Sequence, residues 1–403
     1  MPVVVLIGML DTQDVEYAWV RDRLQVLGTE VMLVDTGVLG PPRVAPDITR
    51  DEVARAGGAD LARCAGDDRN PAMARGAAEV IGRLFRAGRL HGVLAIGGPG
   101  SPVSTTAMRA LPPGVPKLMV SSMAADDPSS FVGVPGLTLM YSVTDITGIN
   151  RVSSRVLASA AAAVAGMATG YAAGRPVPIG GPPIIAATLA GATTPGVRSA
   201  CELLDILGYE VLAFHAAGGR SYEATAVGGR LTAALDATLF DLSTELLGGL
   251  HPACPERLTA AVRAGVPQVV SLGGLDMAEF APGHPVERRV HLRDPAATLV
   301  RTTPLESAEL GRRVAARLRD AVAPTALYVP LLGLSTLSAP GGPFHDPVAD
   351  EALFAALREG LAGSLVEIQE METHFNDPAF GRAMADRLHA MLTRAPAIRA
   401  AAS

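Results

Sequence analysis

The chain has 403 residues, too many for one ordinary hydrophobic core, so two domains are expected. Apolar residues make up 49% of the chain and charged residues 18%, which predicts packed domains and argues against a disordered chain. A net charge of −6 and an aromatic content of 4% argue against a nucleic-acid partner. Three cysteines at unrelated spacings argue against a disulfide framework and favour a reducing, cytoplasmic compartment.

Two apolar stretches bear on whether the chain has a membrane partner. Residues 3–7 follow no basic segment and are too few to span a bilayer, so they predict a buried strand. Residues 156–167 are alanine-rich, with Gly166 inside the stretch and Gly170 shortly after it, and they favour a buried helix. No membrane partner is expected.

The first half of the chain alternates short apolar runs with segments of helical periodicity. Strands are expected at residues 3–7, 31–34, 92–96 and 117–121, and helices at residues 14–27, 74–87, 103–110 and 150–167. Residues 140–146 are interpreted as a strand end or a loop. This alternation predicts a Rossmann-like lobe with a mostly parallel sheet.

Residues 174–183 are rich in glycine and proline and mark a domain boundary. We therefore expect an amino-terminal Rossmann-like nucleotide-binding lobe over residues 1–178 and a carboxyl-terminal α/β lobe over residues 179–403. The second lobe opens on an apolar run at residues 184–189, and residues 207–211 echo residues 27–31. An internal duplication and the ordinary rhythm of α/β chains both explain that echo.

The rest of the second lobe follows the same alternation. Strands are expected near residues 211–214, 239–242, 268–271, 327–330 and 364–369, and helices near residues 256–264, 304–321 and 350–361. Ligands of parallel sheets bind beyond the carboxyl ends of the strands. The fold expected is therefore α/β, with two Rossmann-like lobes of mostly parallel sheet and a ligand cleft between them.

Residues 97–101 form a glycine-rich turn that follows a strand and opens a helix. Glycine lets the backbone approach a ligand closely, and the first N–H groups of a helix point toward an anion. No Gly-Lys-Ser/Thr sequence follows, so this is not a Walker A loop, and a tight connection without a ligand explains the turn as well. Its candidate phosphate-binding residues, with those of the next helix, are Gly97, Gly98, Gly100, Ser101, Ser104 and Thr105.

The turn after the first strand contains Gly8, Asp11 and Thr12, and it has two interpretations. Asp11 or Thr12 is suited to cap the following helix. Alternatively, the turn lies beside the glycine-rich turn and shares its phosphate. In that case Gly8, Asp11 and Thr12 contact the cofactor, and Asp11 binds Mg²⁺ or a ribose hydroxyl.

Charged side chains near strand ends of the second lobe are candidates for substrate chemistry. An arginine clamps a phosphate or carboxylate through two N–H groups, and an imidazole transfers protons. Capping or ion pairing explains each of these positions as well. The candidate catalytic residues are His215, Arg220, Asp241, Glu245, Asp276 and Arg301. None of the eight histidines has a metal-binding spacing.

Taken together, these motifs resemble the tobamovirus-resistance-type (Tm-one-like) family of ATP-binding domains, and the chain is similar to a bacterial member. The segments that carry the resemblance are residues 8–13, 97–102, 107–121, 142–150, 214–220, 275–277, 298–303 and 374–378. They follow one another along nearly the whole chain. The resemblance implies ATP binding, a two-subdomain fold and a homodimer, but no particular reaction.

Three residues and one shortened turn depart from the family pattern, since the turn that follows His215 lacks a glycine of the family. Gln13 replaces a frequent lysine, and Pro99 and Pro102 remove N–H donors from the glycine-rich turn. The leading interpretation is an ATP- and Mg²⁺-dependent ligase, transferase or hydrolase whose small-molecule substrate lies between the lobes. A nucleotide-gated regulatory module without turnover and an ATP-independent lyase or hydrolase on the same fold remain alternatives.

Overall fold

The computed structural model describes residues 1–63, 69–97, 102–124, 131, 134–174, 181–217, 220–227, 231–283, 288–294 and 297–400. The chain divides into two compact units, Met1–Val177 (unit 1) and Pro178–Ser403 (unit 2). Each unit has a parallel sheet flanked by helices, so the predicted α/β fold class is confirmed.

Unit 1 is built on a five-stranded sheet in the order β2-β1-β3-β4-β5, and every neighbouring pair is parallel. Its elements are β1 (Val3–Gly8), α1 (Asp14–Val26), β2 (Glu30–Asp35), α2 (Arg50–Ala56), α3 (Arg69–Arg86), β3 (Gly92–Ile96), α4 (Pro102–Arg109), β4 (Lys117–Ser121), β5 (Leu137–Tyr141) and α5 (Ser153–Ala173).

The central strands of this sheet are buried on both faces, as their continuous apolar sequences predict. Val5 and Ile7 of β1 pack on the face covered by α2, α3 and α4, whereas Val4 and Leu6 pack on the face covered by α1 and α5. The connections from β1 and β3 therefore leave toward opposite faces. This reversal between adjacent strands is the topological switch point, where open α/β sheets bind their ligands.

Helix α5 is long and apolar enough to cross a membrane by length and composition alone. Its residues Leu157, Ala161, Val164 and Ala168 are buried in the core cluster of unit 1 that also contains β1 and β3 residues. In this fold α5 therefore covers one face of the sheet.

Unit 2 contains a six-stranded parallel sheet in the order β7-β6-β8-β9-β13-β14 and a small antiparallel sheet in the order β10-β12-β11. Its elements are β6 (Ile184–Leu189), α6 (Thr194–Ile206), β7 (Glu210–His215), α7 (Arg220–Val227), β8 (Ala233–Thr238), α8 (Phe240–Leu247), α9 (Thr259–Ala264), β9 (Gln268–Gly273), β10 (Met277–Phe280), β11 (Val290–Asp294), β12 (Ala297–Arg301), α10 (Pro304–Leu318), β13 (Thr325–Pro330), α11 (Pro347–Gly360), β14 (Glu367–Met371) and α12 (Pro378–Ala400).

The strand predicted near residues 239–242 is wrong. The strand is β8, Ala233–Thr238, and Phe240 begins α8 instead. Alanine has a low strand propensity, so this alanine-rich segment is a weak strand signal. It is a strand because Ala233 and Ala234 are fully buried between neighbouring strands and helices. As a result Asp241 lies in the first turn of a helix.

Candidate functional site

The ends of β1 and β3, from which the two turns begin, lie side by side at the carboxyl edge of the unit 1 sheet. β1 and β3 are parallel neighbours with Leu6 opposite Leu94, so both strands end at the same edge. The two turns therefore begin at the same edge of the sheet, as predicted. They flank the switch point.

Tyr17 of α1 joins the ends of these two strands. Its Oη donates to the carbonyl of Ile7 at 2.7 Å and accepts the N–H of Ile96 at 2.8 Å. Burial raises the pKa of the Tyr17 hydroxyl well above its ordinary value. The hydroxyl therefore stays neutral and can donate one hydrogen bond while it accepts the other. A Cβ on Gly8 would lie 1.9 Å from this oxygen, so only glycine leaves room for the tyrosine.

Asp35, the last residue of β2, lies beneath the first turn and was missed from the sequence. Its Oδ1 accepts the N–H groups of Leu10 at 3.2 Å and Gly37 at 2.8 Å, whereas its Oδ2 is buried without a partner. Burial raises the pKa of this carboxyl, and the Asp11 carboxylate adds to the rise. The available signal was its position, because Rossmann folds carry an acid after the second strand.

Asp11 connects the first turn to the loop that follows β2. Its Oδ2 accepts the N–H groups of Leu39 at 2.7 Å and Gly40 at 3.2 Å, and its Oδ1 is buried without a partner. The residue at the helix cap position is Gln13, which makes no side-chain capping bond. The interpretation that Asp11 or Thr12 caps α1 is therefore wrong.

A magnesium ion fits the chemistry of Asp11 only in part. Mg²⁺ in nucleotide sites is held by one or two carboxylates together with phosphate oxygens, and the unpartnered Oδ1 of Asp11 has that character. Within the described ranges no group of three or more His, Cys, Asp or Glu side chains is placed to hold a metal ion. A metal at Asp11 would therefore need ligand oxygens as well.

Of the glycine-rich turn, residues 97–101, the structure describes only Gly97. The N–H of Gly97 donates to the carbonyl of Val120 at 3.0 Å, and Gly98, Gly100 and Ser101 lie outside the described residues. In α4, Ser104 and Thr105 are 3% and 1% exposed. The hydroxyl of Thr105 donates to the carbonyl of Pro102 at 3.2 Å, within the first turn of the helix.

The loop after β5 is strained at the same edge of the sheet. Val143 has φ 67°, a left-handed conformation that is a genuine outlier for a β-branched residue. The N–H of Thr144 donates to the carbonyl of Ser142 at 2.7 Å, and the buried Ser142 hydroxyl donates to the Thr144 carbonyl at 2.7 Å. Strain of this kind concentrates at ligand-binding sites.

A cavity of about 460 Å³ opens in unit 2. It lies beyond the carboxyl ends of β6, β7 and β8, and the sheet order reverses between β6 and β8. This is the switch point of the second sheet. Its polar lining includes Gly191, His215, His291, Arg293 and Thr336, and its apolar lining includes Phe240, Met277 and Leu299.

His215 is the predicted catalytic residue that lines this cavity. Its Nδ1 accepts the N–H of Ala217 at 3.2 Å. Only the backbone of Arg220 is described, at the start of α7. Glu245 instead pairs with Arg317 at 3.5 Å and with Arg313 at 4.0 Å, away from the cavity lining.

Asp241 belongs to a buried ion cluster around Arg257. The guanidinium bonds Asp241 Oδ2 at 2.9 Å, Asp236 Oδ1 at 2.7 Å and Glu223 Oε1 at 3.2 Å, and it lies 5.5 Å from the ring centre of Tyr222. Burial raises the pKa of Asp241 to about 6 and that of Glu223 to about 7. This cluster links α7, β8, α8 and the segment before α9.

Asp276 and Arg301 form a second buried network. Arg301 donates to Asp350 Oδ1 at 2.6 Å, to the Phe344 carbonyl at 2.8 Å and to the Asp276 carbonyl at 3.1 Å. Asp276 Oδ2 accepts the Ser335 hydroxyl at 2.6 Å. Burial raises the pKa of Asp276, and it raises that of Asp350 to about 6. Both predicted residues hold chain segments together.

His291 and Arg293 are cavity residues that sequence reasoning missed. Both line the cavity from β11, whose pairing with β12 is irregular between Leu292 and Asp294. Their position depends on the antiparallel sheet, which was not predicted from the sequence.

Comparison with known proteins covers both units. The UPF0261 amino-terminal domain matches residues 2–173, and the UPF0261 carboxyl-terminal domain matches residues 182–392. A UPF0261 protein of Clostridium tetani is 39% identical over 403 residues, which span 97% of this chain and 99% of that protein.

The tomato (Solanum lycopersicum) ToMV resistance protein Tm-1(GCR237) is 34% identical over 308 residues, which span 74% of this chain and 41% of the tomato protein. Among solved structures, the glycosyltransferase SnogD from Streptomyces nogalater covers 97% of this chain at 11% identity with a TM-score of 0.22, too low to carry any argument. The resemblance found in the sequence is confirmed, and the chain belongs to the uncharacterised protein family UPF0261.

Proposed function

We propose that this chain binds ATP with Mg²⁺ at the carboxyl edge of the unit 1 sheet. The main support is a group of three buried side-chain oxygens without partners beside the switch point, Asp11 Oδ1, Gln13 Oε1 and Asp35 Oδ2. A buried polar atom without a partner costs about 1–3 kcal/mol. A ligand that brings ribose hydroxyls and a cation would satisfy them.

The phosphates of the nucleotide lie, in this proposal, against the turns after β1 and β3. The first N–H groups of α1 and α4 point toward that edge and favour an anion. Asp11 holds the magnesium ion, which offsets the negative charge of the phosphates. The resemblance to an ATP-binding family makes ATP the first nucleotide to test.

We further propose that the chain is an enzyme that uses ATP in a reaction on a small molecule. His215 is the candidate proton donor or acceptor, because it lines an open cavity whereas Asp241, Asp276 and Arg301 are held in buried networks.

Calorimetric titration of the full chain with ATP, with and without MgCl₂, tests the binding proposal. Asp11→Asn keeps an oxygen for the Leu39 N–H but removes the charge, so we expect it to lose at least tenfold of the Mg²⁺-dependent affinity. Asp22→Asn, an exposed change on α1, the helix that follows this turn, should bind like the wild type. Absence of both heat and thermal stabilisation with every nucleotide would overturn the proposal.

A binding module without turnover is the second candidate. It is favoured because Asp241, Asp276 and Arg301 already have buried protein partners, which leaves few groups for chemistry. ATP binding with no release of ADP or phosphate, in the presence of candidate substrates, would select this function. A reaction that runs at full rate without nucleotide would instead select an ATP-independent lyase or hydrolase.

A further inference from the structure

The unit 2 cavity has the size and position of a small-molecule site. Its volume of about 460 Å³ falls within the ~300–1,000 Å³ typical of ligand pockets. It lies at the switch point between β6 and β8, outside the carboxyl ends of the strands. We propose that this cavity binds a small organic acid, in which one carboxylate is joined to an apolar group.

The two imidazoles supply hydrogen-bond donors to the carboxylate. His215 accepts the Ala217 N–H on Nδ1 at 3.2 Å, so the neutral ring carries its proton on Nε2 and can donate from it. His291 lines the same cavity, and its ring lies edge-on to Phe344 with the ring centres 6.3 Å apart.

Arg293 supplies the cavity with a fixed guanidinium but with little net positive charge. Its Nη2 pairs with Glu279 at 2.9 Å, and the Glu279 side chain is only 6% exposed, so the guanidinium is anchored at the cavity wall. Because Glu279 offsets the charge of Arg293, the excess positive charge of the lining is modest. A carboxylate with one negative charge suits this lining better than a triphosphate.

The start of the α6 segment provides a further donor surface. Ala190, Gly191 and Ala192 line the cavity directly after β6, and a single 3-10 turn at Gly191–Thr193 leads into α6. The N–H of Ala190 donates to the Thr193 hydroxyl at 3.0 Å and that of Thr193 to the Ala190 carbonyl at 2.8 Å, so the donors left to this segment are the N–H groups of Gly191 and Ala192. They add to the histidine donors on the same cavity.

The remaining lining favours a ligand with an apolar part. Phe240, Met277 and Leu299 are each at least nine-tenths buried and form an apolar wall. A sugar-like ligand would leave its hydroxyl groups without partners along this wall. The proposal deepens the proposed function, since it gives the enzyme a substrate class.

Ligand-observed NMR on the full chain tests the proposal with matched probe pairs. Phenylacetate, benzoate, hexanoate and 4-methylpentanoate are each compared with the corresponding carboxamide, which has the same shape but no charge. We expect the carboxylates to bind at least tenfold more tightly than the amides. Equal binding of the carboxylate and its amide would overturn the proposal. So would the absence of any carboxylate with a dissociation constant below ~10 mM, which corresponds to a binding free energy of about −2.7 kcal/mol.

A cavity-filling variant locates the site. Thr336 is exposed at the cavity lining, and its backbone N–H bonds Ala192 independently of the side chain, so Thr336→Trp should fold and abolish carboxylate binding. Thr393→Trp, at an exposed position of α12 outside the cavity, is the matched control and should bind normally. Retained binding in Thr336→Trp would place the site elsewhere and contradict the proposal.

Two further variants keep the test independent of folding and of nucleotide binding. His215→Gln and His291→Gln retain polar side chains and should weaken carboxylate binding at least fivefold without changing amide binding. ATP titration of the same variants should match the wild type. Carboxylate binding without ATP binding would remove the proposed nucleotide function and leave this inference intact. ATP binding without carboxylate binding would overturn this inference and leave the nucleotide function intact.

Discussion

Tyr17 couples the two strand ends that frame the switch point of unit 1. Tyr17→Phe removes an oxygen that accepts the Ile96 N–H at 2.8 Å and donates to the Ile7 carbonyl at 2.7 Å. We expect a loss of ~1–3 kcal/mol of stability and faster hydrogen exchange at the Ile96 amide. Tyr141→Phe, at an exposed side chain, is the control.

Thermal unfolding and amide exchange measured together decide the role of Tyr17. If Tyr17→Phe exchanges at Ile96 as slowly as the wild type, the hydroxyl does not hold the strand ends together. A loss of stability without local exchange would point to packing around the ring.

The buried Glu223 carboxyl makes stability depend on pH. Burial raises its pKa to about 7, so the folded chain holds this proton more tightly than the unfolded chain does. The stabilisation is present below pH 4.5, the ordinary value for a glutamic acid, and is lost as the pH rises through about 7. Glutamine keeps an oxygen for Leu258 N–H, which Glu223 Oε1 accepts at 2.8 Å, and carries no charge.

We therefore expect Glu223→Gln to unfold like the wild type near pH 5 and to be more stable at pH 8, by on the order of 3 kcal/mol. Thermal unfolding followed by circular dichroism from pH 5 to pH 8 measures the difference. Glu256→Gln, an exposed neighbour, should show no such trend. A constant difference across this range would mean that Glu223 is ionised throughout.

Individual site residues were only partly predictable. A histidine at the end of a strand, such as His215, is recognisable from its position alone. The burial of Asp241 and Arg301 is not, because their partners lie 16 and 49 residues away along the chain. Asp35 was missed for a related reason, since its bonds to Leu10 and Gly37 depend on the register of β1 and β2.

Helices α6 and α12 pack closely because glycines face each other. A Cβ on Gly381 would lie 2.3 Å from the carbonyl oxygen of Gly196, and a Cβ on Gly196 would lie 2.3 Å from that of Phe375. Gly381→Ala therefore forces the helices apart, and we expect a loss of ~1–3 kcal/mol. Gly166→Ala in α5, where the new Cβ meets open space, should instead gain ~0.5–1 kcal/mol.

Urea unfolding of both glycine variants measures the contrast. Because both changes add the same methyl group to a helix, propensity alone would make both variants more stable. A stabilised Gly381→Ala would show that α6 and α12 separate at little cost.

Elements with strong periodicity were predictable, and those defined by tertiary contacts were not. The apolar β-branched run of β1 and the helical pattern of α1 are local signals, and both elements are present. The β10–β12 sheet is held by pairs such as Met277 with Arg301, which are distant in sequence. Its strands carry charged residues and offer no continuous apolar run, so only the fold reveals them.

At the scale of the whole chain, the two units repeat one topological plan. The first five strands of each parallel sheet follow the order 2-1-3-4-5, and in each unit the first strand lies beside the third. The carboxyl edges of β1 and β6 are therefore equivalent positions. Unit 1 presents unpartnered oxygens there, and unit 2 presents histidines and an open cavity, which suits two chemically different ligands.

This plan predicts where ligands protect the backbone from hydrogen exchange. Mg²⁺–ATP should slow exchange at residues 8–13 and 96–97, and phenylacetate should slow it at residues 189–193 and 215–217. The amino-terminal edge of the unit 1 sheet lies roughly 16 Å away along strands of this length, so residues 28–30 and 115–117 should be unaffected by Mg²⁺–ATP. Mass spectrometry of peptic peptides resolves these segments. Protection at the amino-terminal edges would show that the ligands bind away from both switch points.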